Sequence, residues 1–258
     1  MRPLSDTLFI GRELQHFKRL DSTNTYLRNL LNVQTEKIAE GLLVITDEQF
    51  AGKGQLGAGW ISEAGKNLTC SILLRPTFLL PAEIFYLNKA IALAVRDCVA
   101  DFMSGQTISI KWPNDIYAGN KKIAGILIEN GFKTTAVQYT IVGIGLNINQ
   151  TEFDHAIPNP VSIRMITGKD FNLQIVLEKL CGAIEYYYLM LRRFDFKQVD
   201  DLYHTYLYGI GKEKKFKSGE NEFSGIIEGV DANGKLILKA GGEMKKFEVK
   251  EIGFLNSL

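Results

Sequence analysis

One loop of the sequence combines residue types that could bind an anion. It reads Ala-Gly-Lys-Gly-Gln-Leu-Gly-Ala-Gly-Trp from position 51 to position 60, so four glycines occur within eight residues around a single cation, Lys53. Glycines let backbone N–H groups approach an anionic ligand closely because no Cβ intervenes. The loop is therefore predicted to cradle a phosphate or a carboxylate, and the alternative is a mobile connection without a ligand.

The loop differs from both common nucleotide-binding fingerprints. Apolar runs at Leu42–Ile45 and Leu68–Leu74 flank it, which predicts that it joins two strands and does not open a helix. A Walker loop needs Gly-Lys followed by Ser or Thr at a helix start, and a dinucleotide fingerprint needs its third glycine there. Residues from other parts of the chain must therefore complete the site.

Three further groups of polar and basic residues could do so. They are Ser22-Thr23-Asn24, Lys-Trp-Pro-Asn-Asp from position 111, and Lys-Lys-Ile-Ala-Gly from position 121. Each also has a purely structural interpretation. The first is typical of a helix cap, the second of a strand end and turn, and the third of a solvated hairpin corner.

Together, these motifs resemble the biotin protein ligases. In that family a Ser-Thr-Asn triplet, a Gly-rich basic loop ending in Trp, Lys-Trp-Pro-Asn-Asp, Lys-x-Ala-Gly-Ile-Leu and Gly-x-Gly-x-Asn follow one another, and the last two read 122–127 and 143–147 here. The resemblance covers about residues 15 to 150 by motif and the rest by layout. Only 21 residues precede Ser22, so we expect the short form that lacks the N-terminal DNA-binding domain.

The resemblance implies an ATP-dependent biotin--[biotin carboxyl carrier protein] ligase. Such an enzyme activates biotin with ATP to biotinyl-5′-AMP and transfers biotin to a specific lysine of the carrier protein. ATP and biotin are then the substrates, and Mg²⁺ accompanies ATP. Two alternatives stay open, namely a lipoate or octanoate ligase or transferase of the same fold and a biotin-binding protein without turnover.

The resemblance also assigns roles to individual residues. The catalytic residues are Lys111, Asp115 and Lys122. Biotin binding is assigned to Ser22, Thr23, Asn24, Gln49, Gly52, Lys53, Gly54, Gln55, Lys122 and Gly125. ATP binding is assigned to Lys53, Trp60, Lys111, Asn114, Lys122 and Asn147. No dedicated metal ligand is expected, because Mg²⁺ is usually held by substrate phosphates.

The residue types suit this chemistry. Attack of a carboxylate on the α-phosphate brings two anions together, and Lys53, Lys111 and Lys122 could offset their repulsion. Asp115 could orient or deprotonate the acceptor amine. The loop departs from the family pattern, however, since Gln55, Leu56 and Ala58 stand where family members usually carry arginines. The adenylate is then expected to depend on loop closure and on the other two lysines.

Periodicity places these motifs on an α+β domain spanning residues 1–208. Helices are predicted after Ser22, from Pro81 to Phe102, over 173–194 and over 199–208, and strands over 40–49, 108–117, 121–130 and 136–149. A Gly119-Asn120 turn separates two of these strands. The result is a mixed or antiparallel sheet with flanking helices, which the resemblance identifies as class II synthetase-like.

The last 50 residues have a different texture. Short alternating stretches follow Gly211, with hairpin turns predicted at Asn233-Gly234 and Gly241-Gly242. By resemblance, residues 209–258 form a small SH3-like β-barrel domain. A unit of about 50 residues is marginal alone, so we expect it to pack on the main domain.

Bulk composition gives no sign of a nucleic-acid or membrane partner. The formal net charge of the 258 residues is +1, and the apolar runs fall short of a membrane span. Cys70, Cys98 and Cys181 lack CxxC spacing, which suits reduced thiols and a cytoplasmic protein. The oligomeric state is left as monomer or homodimer, with a sheet edge around 136–147 as the expected site of strand pairing.

Overall fold

The computed structural model describes residues 1–34, 38–134 and 136–255. Two sheets and five α-helices make up the described part. Their bounds in chain order are β1 Leu14–Leu20, α1 Thr23–Gln34, β2 Leu43–Gln49, β3 Leu68–Leu74, α2 Ile84–Asp101, β4 Ile108–Lys111, β5 Asp115–Ala118, β6 Lys121–Lys133, β7 Ala136–Leu146, α3 Ile163–Thr167, α4 Leu173–Arg192, α5 Phe196–Thr205, β8 Glu213–Ser218, β9 Asn221–Val230, β10 Leu236–Ala240, β11 Glu243–Phe247 and β12 Gly253–Phe254.

The larger sheet has seven strands in the order β1-β2-β3-β7-β6-β5-β4. β1 and β2 are parallel, and every other neighbouring pair is antiparallel. This confirms the predicted α+β class with a mixed sheet. The expectation of a sheet edge around 136–147 is wrong over residues 140–146, because β7 pairs there with β3 on one side and with β6 on the other. Over residues 136–139, β7 pairs with β6.

The two faces of the central strands differ because side chains alternate along a strand. On one face, apolar side chains such as Ile72, Val142 and Ile144 join the main core with α2 and α4. On the other face, Ser71 of β3 lies beside Gly143 of β7, and α1 covers this region. The other face also holds a smaller apolar cluster beneath α1, so polar and small residues occupy only part of it.

The helix predicted after Pro81 is confirmed. Pro81 opens a short 3-10 turn, and α2 follows from Ile84, with every residue from Lys89 to Val95 buried. The Glu83 carboxylate accepts the Leu80 N–H at 2.9 Å, which satisfies a donor at the helix start. The α4 helix ends at Arg192, two residues before the predicted end, and Phe194 has a positive φ of 62°.

The strand predicted over 108–117 is interrupted by the strand end and turn that the sequence indicates from Trp112 to Asp115. It is divided into β4 and β5 by a turn at Trp112-Pro113-Asn114, and Lys111 pairs with Asp115 across the turn. Proline has no N–H to donate to a neighbouring strand, so the pairing is interrupted at Pro113. The Gly119-Asn120 turn lies between β5 and β6 as predicted.

The C-terminal strands form a separate five-stranded antiparallel sheet in the order β11-β10-β9-β8-β12. Both predicted hairpin turns connect its strands. The sheet packs on the larger unit, since the Trp112 Nε1–H donates to Gly234 O at 2.8 Å. The placement of the domain boundary at residue 208 stays a prediction.

A buried lysine connects the larger unit to the C-terminal sheet. Lys89 of α2 is 1% exposed, forms an ion pair with Asp200 of α5 and donates to Val230 O in the C-terminal sheet at 3.1 Å. His204 accepts the Val230 N–H at 2.9 Å. The buried ammonium thus connects α2 both to α5 and to the C-terminal sheet.

No helix among the described residues is both long and apolar enough to cross a bilayer. The three cysteines are buried and are not in disulfides.

We predict that Lys89→Ala lowers the free energy of unfolding by about 3 kcal/mol, because removing one partner of a buried ion pair leaves the other uncompensated. The value lies at the low end of the range because the Asp200 side chain is 34% exposed. Urea denaturation followed by circular dichroism measures the change. Lys197→Ala is the control, since Lys197 pairs with Asp201 on the surface of α5. Equal losses of unfolding free energy in Lys89→Ala and Lys197→Ala would contradict a stabilising buried ion pair at Lys89.

Candidate functional site

A cavity of about 290 Å³ lies between the two sheets. It brings together residues from the separate sequence motifs, including Ser22, Lys53, Asp115, Lys122 and Gly125. The cavity is also bordered by the C-terminal domain. The predicted site residues that line it are Ser22, Thr23, Asn24, Gln49, Lys53, Gly54, Gln55, Trp60, Asn114, Asp115, Lys122 and Gly125.

The start of α1 supplies one wall. Ser22 Oγ accepts the Thr25 N–H at 3.4 Å, so Ser22 caps the helix and also lines the cavity. Gln49 Oε1 accepts the Thr23 N–H at 2.8 Å and lies 3.1 Å from Thr23 Oγ1. The helix-cap and ligand-site interpretations of this triplet are therefore compatible.

The glycine-rich loop joins β2 to β3, as predicted, and closes on itself. Lys53 and Gly59 form an isolated bridge, and the Trp60 N–H donates to Gly52 O at 3.0 Å. Lys53 lines the cavity, but Gly52 does not. A Cβ at Gly52 would overlap the Trp60 carbonyl, so glycine is required there for the closure of the loop.

The indole of Trp60 lies over two glycines, Gly125 of β6 and Gly145 of β7, which we call the glycine floor. These glycines are paired across the two strands. A Cβ at Gly145 would overlap the indole, and one at Gly125 would lie 3.2 Å from it. Trp60 Nε1 is buried with no hydrogen-bond partner among the described residues. Adenine stacking on Trp60 stays a prediction.

A β-bulge positions Lys122. Ile116 pairs with Ala124, whereas Tyr117 pairs with Lys122, so Ile123 is the extra residue of β6. A bulge shifts the alternation of side chains. Ile123 thereby joins the core, and Lys122 lies at the cavity with its Nζ 2.7 Å from Asp115 Oδ1.

The structure does not bring Lys111 to the cavity lining. Lys111 Nζ donates to Tyr117 Oη at 3.0 Å and lies 5.0 Å from the centre of the Phe254 ring. Burial lowers the pKa of Lys111, and the Asp115 carboxylate partly opposes that shift. Burial also raises the pKa of Tyr117 to about 12. Lys111 is therefore a charged neighbour of the site.

The two predicted asparagines have structural contacts. Asn114 lines the cavity, and its amide donates to Ile126 O at 2.7 Å. Asn147 does not line the cavity, and its Nδ2 donates to Val161 O at 3.1 Å. Asn147 Oδ1 is buried and has no hydrogen-bond partner among the described residues. A nucleotide contact at Asn147 stays a prediction.

Sequence reasoning missed several residues of the cavity. Those it missed are Ala58, Gly59, Thr69, Cys70, Trp112, Pro113, Ile126, Leu127, Gly143, Ile144, Gly145, Val249, Ile252 and Phe254. Gly143 and Gly145 belong to a motif that was noted, so that motif was the available signal. No sequence signal indicated the last three residues of this list, because a contact between domains leaves no local pattern. Burial raises the pKa of the Cys70 thiol to about 12, which makes it a poor nucleophile.

Comparison with known proteins gives consistent matches over most of the chain. Residues 16–147 match the biotin/lipoate A/B protein ligase family, and residues 209–249 match the biotin protein ligase C-terminal domain. The bifunctional ligase/repressor BirA of Bacillus subtilis is 30% identical over 95% of this chain and 75% of that protein. The biotin--[acetyl-CoA-carboxylase] ligase of Paracoccus denitrificans is 30% identical over 92% and 98%.

A solved structure shares the fold over nearly the full length. The biotin protein ligase from Aquifex aeolicus in complex with biotin and ATP superposes with a TM-score of 0.79 at 27% identity. The superposition covers 95% of this chain and 100% of the other.

We predict that Gly145→Ala shifts tryptophan fluorescence to longer wavelength, because the new methyl group would displace Trp60 from the glycine floor into solvent. The second tryptophan, Trp112, is 3% exposed and should not contribute to the shift in emission wavelength. Gly182→Ala is the matched control, since a Cβ there meets nothing within 4 Å. An unshifted emission spectrum in Gly145→Ala would refute the placement of Trp60.

Proposed function

The chain belongs to the biotin/lipoate A/B protein ligase family and is a biotin protein ligase, and we propose that it forms biotinyl-5′-AMP and transfers biotin to a lysine of a biotin carboxyl carrier protein. The observation that carries the proposal is the gathering of Thr23, Gln49, Lys53, Asp115 and Lys122 around one cavity. A polar wall, two cations and a carboxylate are the groups that the two half-reactions require.

The first half-reaction joins two anions. A carboxylate oxygen of biotin bonds to the α-phosphorus of ATP, the bond from that phosphorus to the β-phosphate oxygen breaks, and pyrophosphate leaves. Lys122 of β6 and Lys53 of the glycine-rich loop both line the cavity. They supply positive charge where the biotin carboxylate meets the ATP phosphates. Holding both substrates in one cavity also removes much of the entropic cost of their encounter.

The ring of biotin needs a different environment from its carboxylate. Its ureido group carries two N–H donors and one carbonyl acceptor. Thr23 and Gln49 line the cavity and offer hydroxyl and amide groups for it. This arrangement supports placing the ring against the start of α1 and the carboxylate toward Lys122.

Mg²⁺ is part of the proposal as a companion of ATP. The described residues contain no cluster of three or more His, Cys, Asp or Glu side chains. Asp115 contributes a carboxylate at the cavity, which suits a cation held mainly by phosphates. When bound, Mg²⁺ would offset charge on the leaving pyrophosphate.

The second half-reaction needs a neutral amine on the acceptor lysine. Asp115 Oδ1 lies 2.7 Å from Lys122 Nζ. Once the phosphate of the adenylate engages Lys122, the Asp115 carboxylate is released to accept a proton from the incoming ammonium group. The amine then attacks the acyl carbon, and AMP leaves with the bonding electrons.

The cellular setting is also proposed. Three buried, unpaired cysteines suit a reducing cytoplasm. The carrier protein is proposed as the partner because the acceptor lysine must enter the cavity. The chain acts as a monomer or homodimer.

A lipoate or octanoate substrate is the competing function within the same family. The dithiolane ring of lipoate has no N–H group, so it would leave the polar groups of Thr23 and Gln49 without ligand partners. That mismatch favours biotin. Loss of turnover, the other alternative, is disfavoured because Lys122 is present and lies at the cavity.

We predict that Lys122→Ala lowers biotin-dependent pyrophosphate release by about 10²–10³-fold, the loss typical for one group that stabilises transition-state charge. The assay contains the purified protein, biotin, ATP and Mg²⁺. Lys121→Ala is the matched control, since Lys121 is the adjacent lysine but is exposed. Its rate should stay within about twofold. Normal turnover by a folded Lys122→Ala protein would remove Lys122 from the mechanism.

We predict that Asp115→Asn separates the two half-reactions. Pyrophosphate release should persist, whereas transfer to a carrier domain should slow by about 10²–10⁴-fold, because asparagine cannot accept the proton. A single-turnover assay with preformed adenylate measures the transfer. Asp170→Asn, at an exposed ion pair with Arg164, is the control. An equal loss in both half-reactions would show that Asp115 acts mainly by holding Lys122.

A further inference from the structure

The last strand of the C-terminal sheet, β12, has a free edge. It pairs with β8 on one side, and no strand of the described residues pairs with its other side. Phe254 lies opposite Phe216, and the next residue, Leu255, donates its N–H to Lys215 O at 2.9 Å. Hydrogen-bonded and non-hydrogen-bonded pairs alternate along an antiparallel ladder. The N–H and C=O of Phe254 therefore point away from β8, to the free edge.

Ile252 adds backbone groups at the same edge. It precedes Phe254 by two residues, which is the spacing at which an extended chain presents its N–H and C=O to one side. Neither backbone group of Ile252 has a hydrogen-bond partner among the described residues. A row of unpaired groups of this kind is a template for another extended chain.

The side chains along this edge face the cavity. Ile252 and Phe254 both line it, together with Val249. The Phe254 ring lies 5.0 Å from Lys111 Nζ, and Lys111 pairs with Asp115 across the β4–β5 turn. The free edge therefore runs beside the cavity near the carboxylate that is proposed to accept the proton of the acceptor amine.

A groove follows the same segment and joins the cavity. It has a volume of about 630 Å³ and is lined by Lys217, Gly219 and residues 249–253. Val249 and Ile252 line both the groove and the cavity, so the two are continuous. Most of the other lining residues, including Lys217 and Gly219, are exposed. A protein partner can therefore reach the edge from solvent.

We propose that the acceptor segment of the carrier protein binds to this edge as an added strand, through hydrogen bonds to the backbone of Ile252 and Phe254. Directly opposite residues on neighbouring strands project their side chains to the same face. A lysine opposite Ile252 or Phe254 thus points into the cavity. The inference rests on the proposed function and adds the surface that presents the acceptor lysine.

Hydrogen exchange measured by NMR tests the pairing on the wild-type chain. The partner is a carrier domain whose acceptor lysine is replaced by arginine, so that no transfer occurs. We expect the amides of Ile252 and Phe254 to exchange about tenfold more slowly when the carrier domain is bound, because both become hydrogen-bonded. The amides of β11, at the opposite edge of the same sheet, are the internal control and should keep their exchange rates.

Two substitutions at one position test the same pairing by kinetics. Ile252→Pro and Ile252→Ala both remove the isoleucine side chain, but only proline removes the N–H at the free edge. With preformed adenylate, we expect the KM for the carrier domain to be about tenfold higher in Ile252→Pro than in Ile252→Ala, the effect of losing one hydrogen bond. The transfer rates at saturating carrier domain should agree within about twofold.

A small nucleophile separates lost pairing from damage to the cavity. Hydroxylamine attacks the acyl carbon of the adenylate without a peptide backbone to pair with the edge. Its reaction should therefore run equally fast in Ile252→Pro and Ile252→Ala. A slower reaction with hydroxylamine in the proline variant would show that the cavity itself had changed, and the kinetic effect would then count against the pairing.

The outcomes distinguish the inference from the function beneath it. A wild-type chain that forms no biotinyl-5′-AMP overturns both. A chain that biotinylates the carrier domain, with unchanged exchange at Ile252 and Phe254 or with equal KM values in the two variants, overturns the edge pairing alone. Protection that increases with the concentration of the chain itself would assign the edge to a second copy and would also overturn it. If Ile252→Pro does not fold, the exchange experiment decides.

Discussion

The absence of a Cβ at three glycines on one face of β6 and β7 is the constraint on which the site depends. Gly125 and Gly145 lie beneath the indole of Trp60, and Gly143 lies beneath the Asn24 amide. Any Cβ at Gly143 or Gly145 would occupy space that another group already fills. The motif Gly-x-Gly in β7 therefore allows two groups to lie close to the sheet. The Trp60 indole lies over Gly145, and the Asn24 side chain at the start of α1 lies over Gly143.

The opposite face of the same strands shows why the fold tolerates this arrangement. Val142, Ile144 and Leu146 alternate with the glycines and are buried against α2 and α4. Burial of such side chains contributes about 1.5–3 kcal/mol each. One strand thus carries two functions on its two faces, because the apolar side chains anchor a strand whose other face has glycine at two positions. The bulge at Ile123 follows the same logic, since it keeps an isoleucine in the core while Lys122 turns to the cavity.

Much of the fold was predictable because local patterns determine it. The stripe of α2, the turn at Gly119-Asn120 and the hairpins of the C-terminal sheet all follow from side-chain periodicity or turn chemistry. The failures share a cause. The central place of β7 and the extra residue at Ile123 depend on which strands pair and in what register, and one sequence without its neighbours in space does not specify these.

The site was predictable in its members but not in its contacts. Ordered motifs identified Ser22, Gln49, Lys53 and Lys122, because each motif retains the residue types that the chemistry needs. Spacing could not reveal that Lys111 lies against Tyr117 and the Phe254 ring, outside the cavity lining. That contact comes from the last strand of the C-terminal domain.

Phe254 of the C-terminal sheet lies against Lys111, a cation next to the site. The loop contributes one cation, Lys53, and Lys122 is already paired with Asp115. Lys111 is the next cation along the sheet, and burial against Tyr117 and Phe254 lowers its pKa. The C-terminal sheet therefore forms part of the surroundings of the cation that pairs across the β4–β5 turn with Asp115.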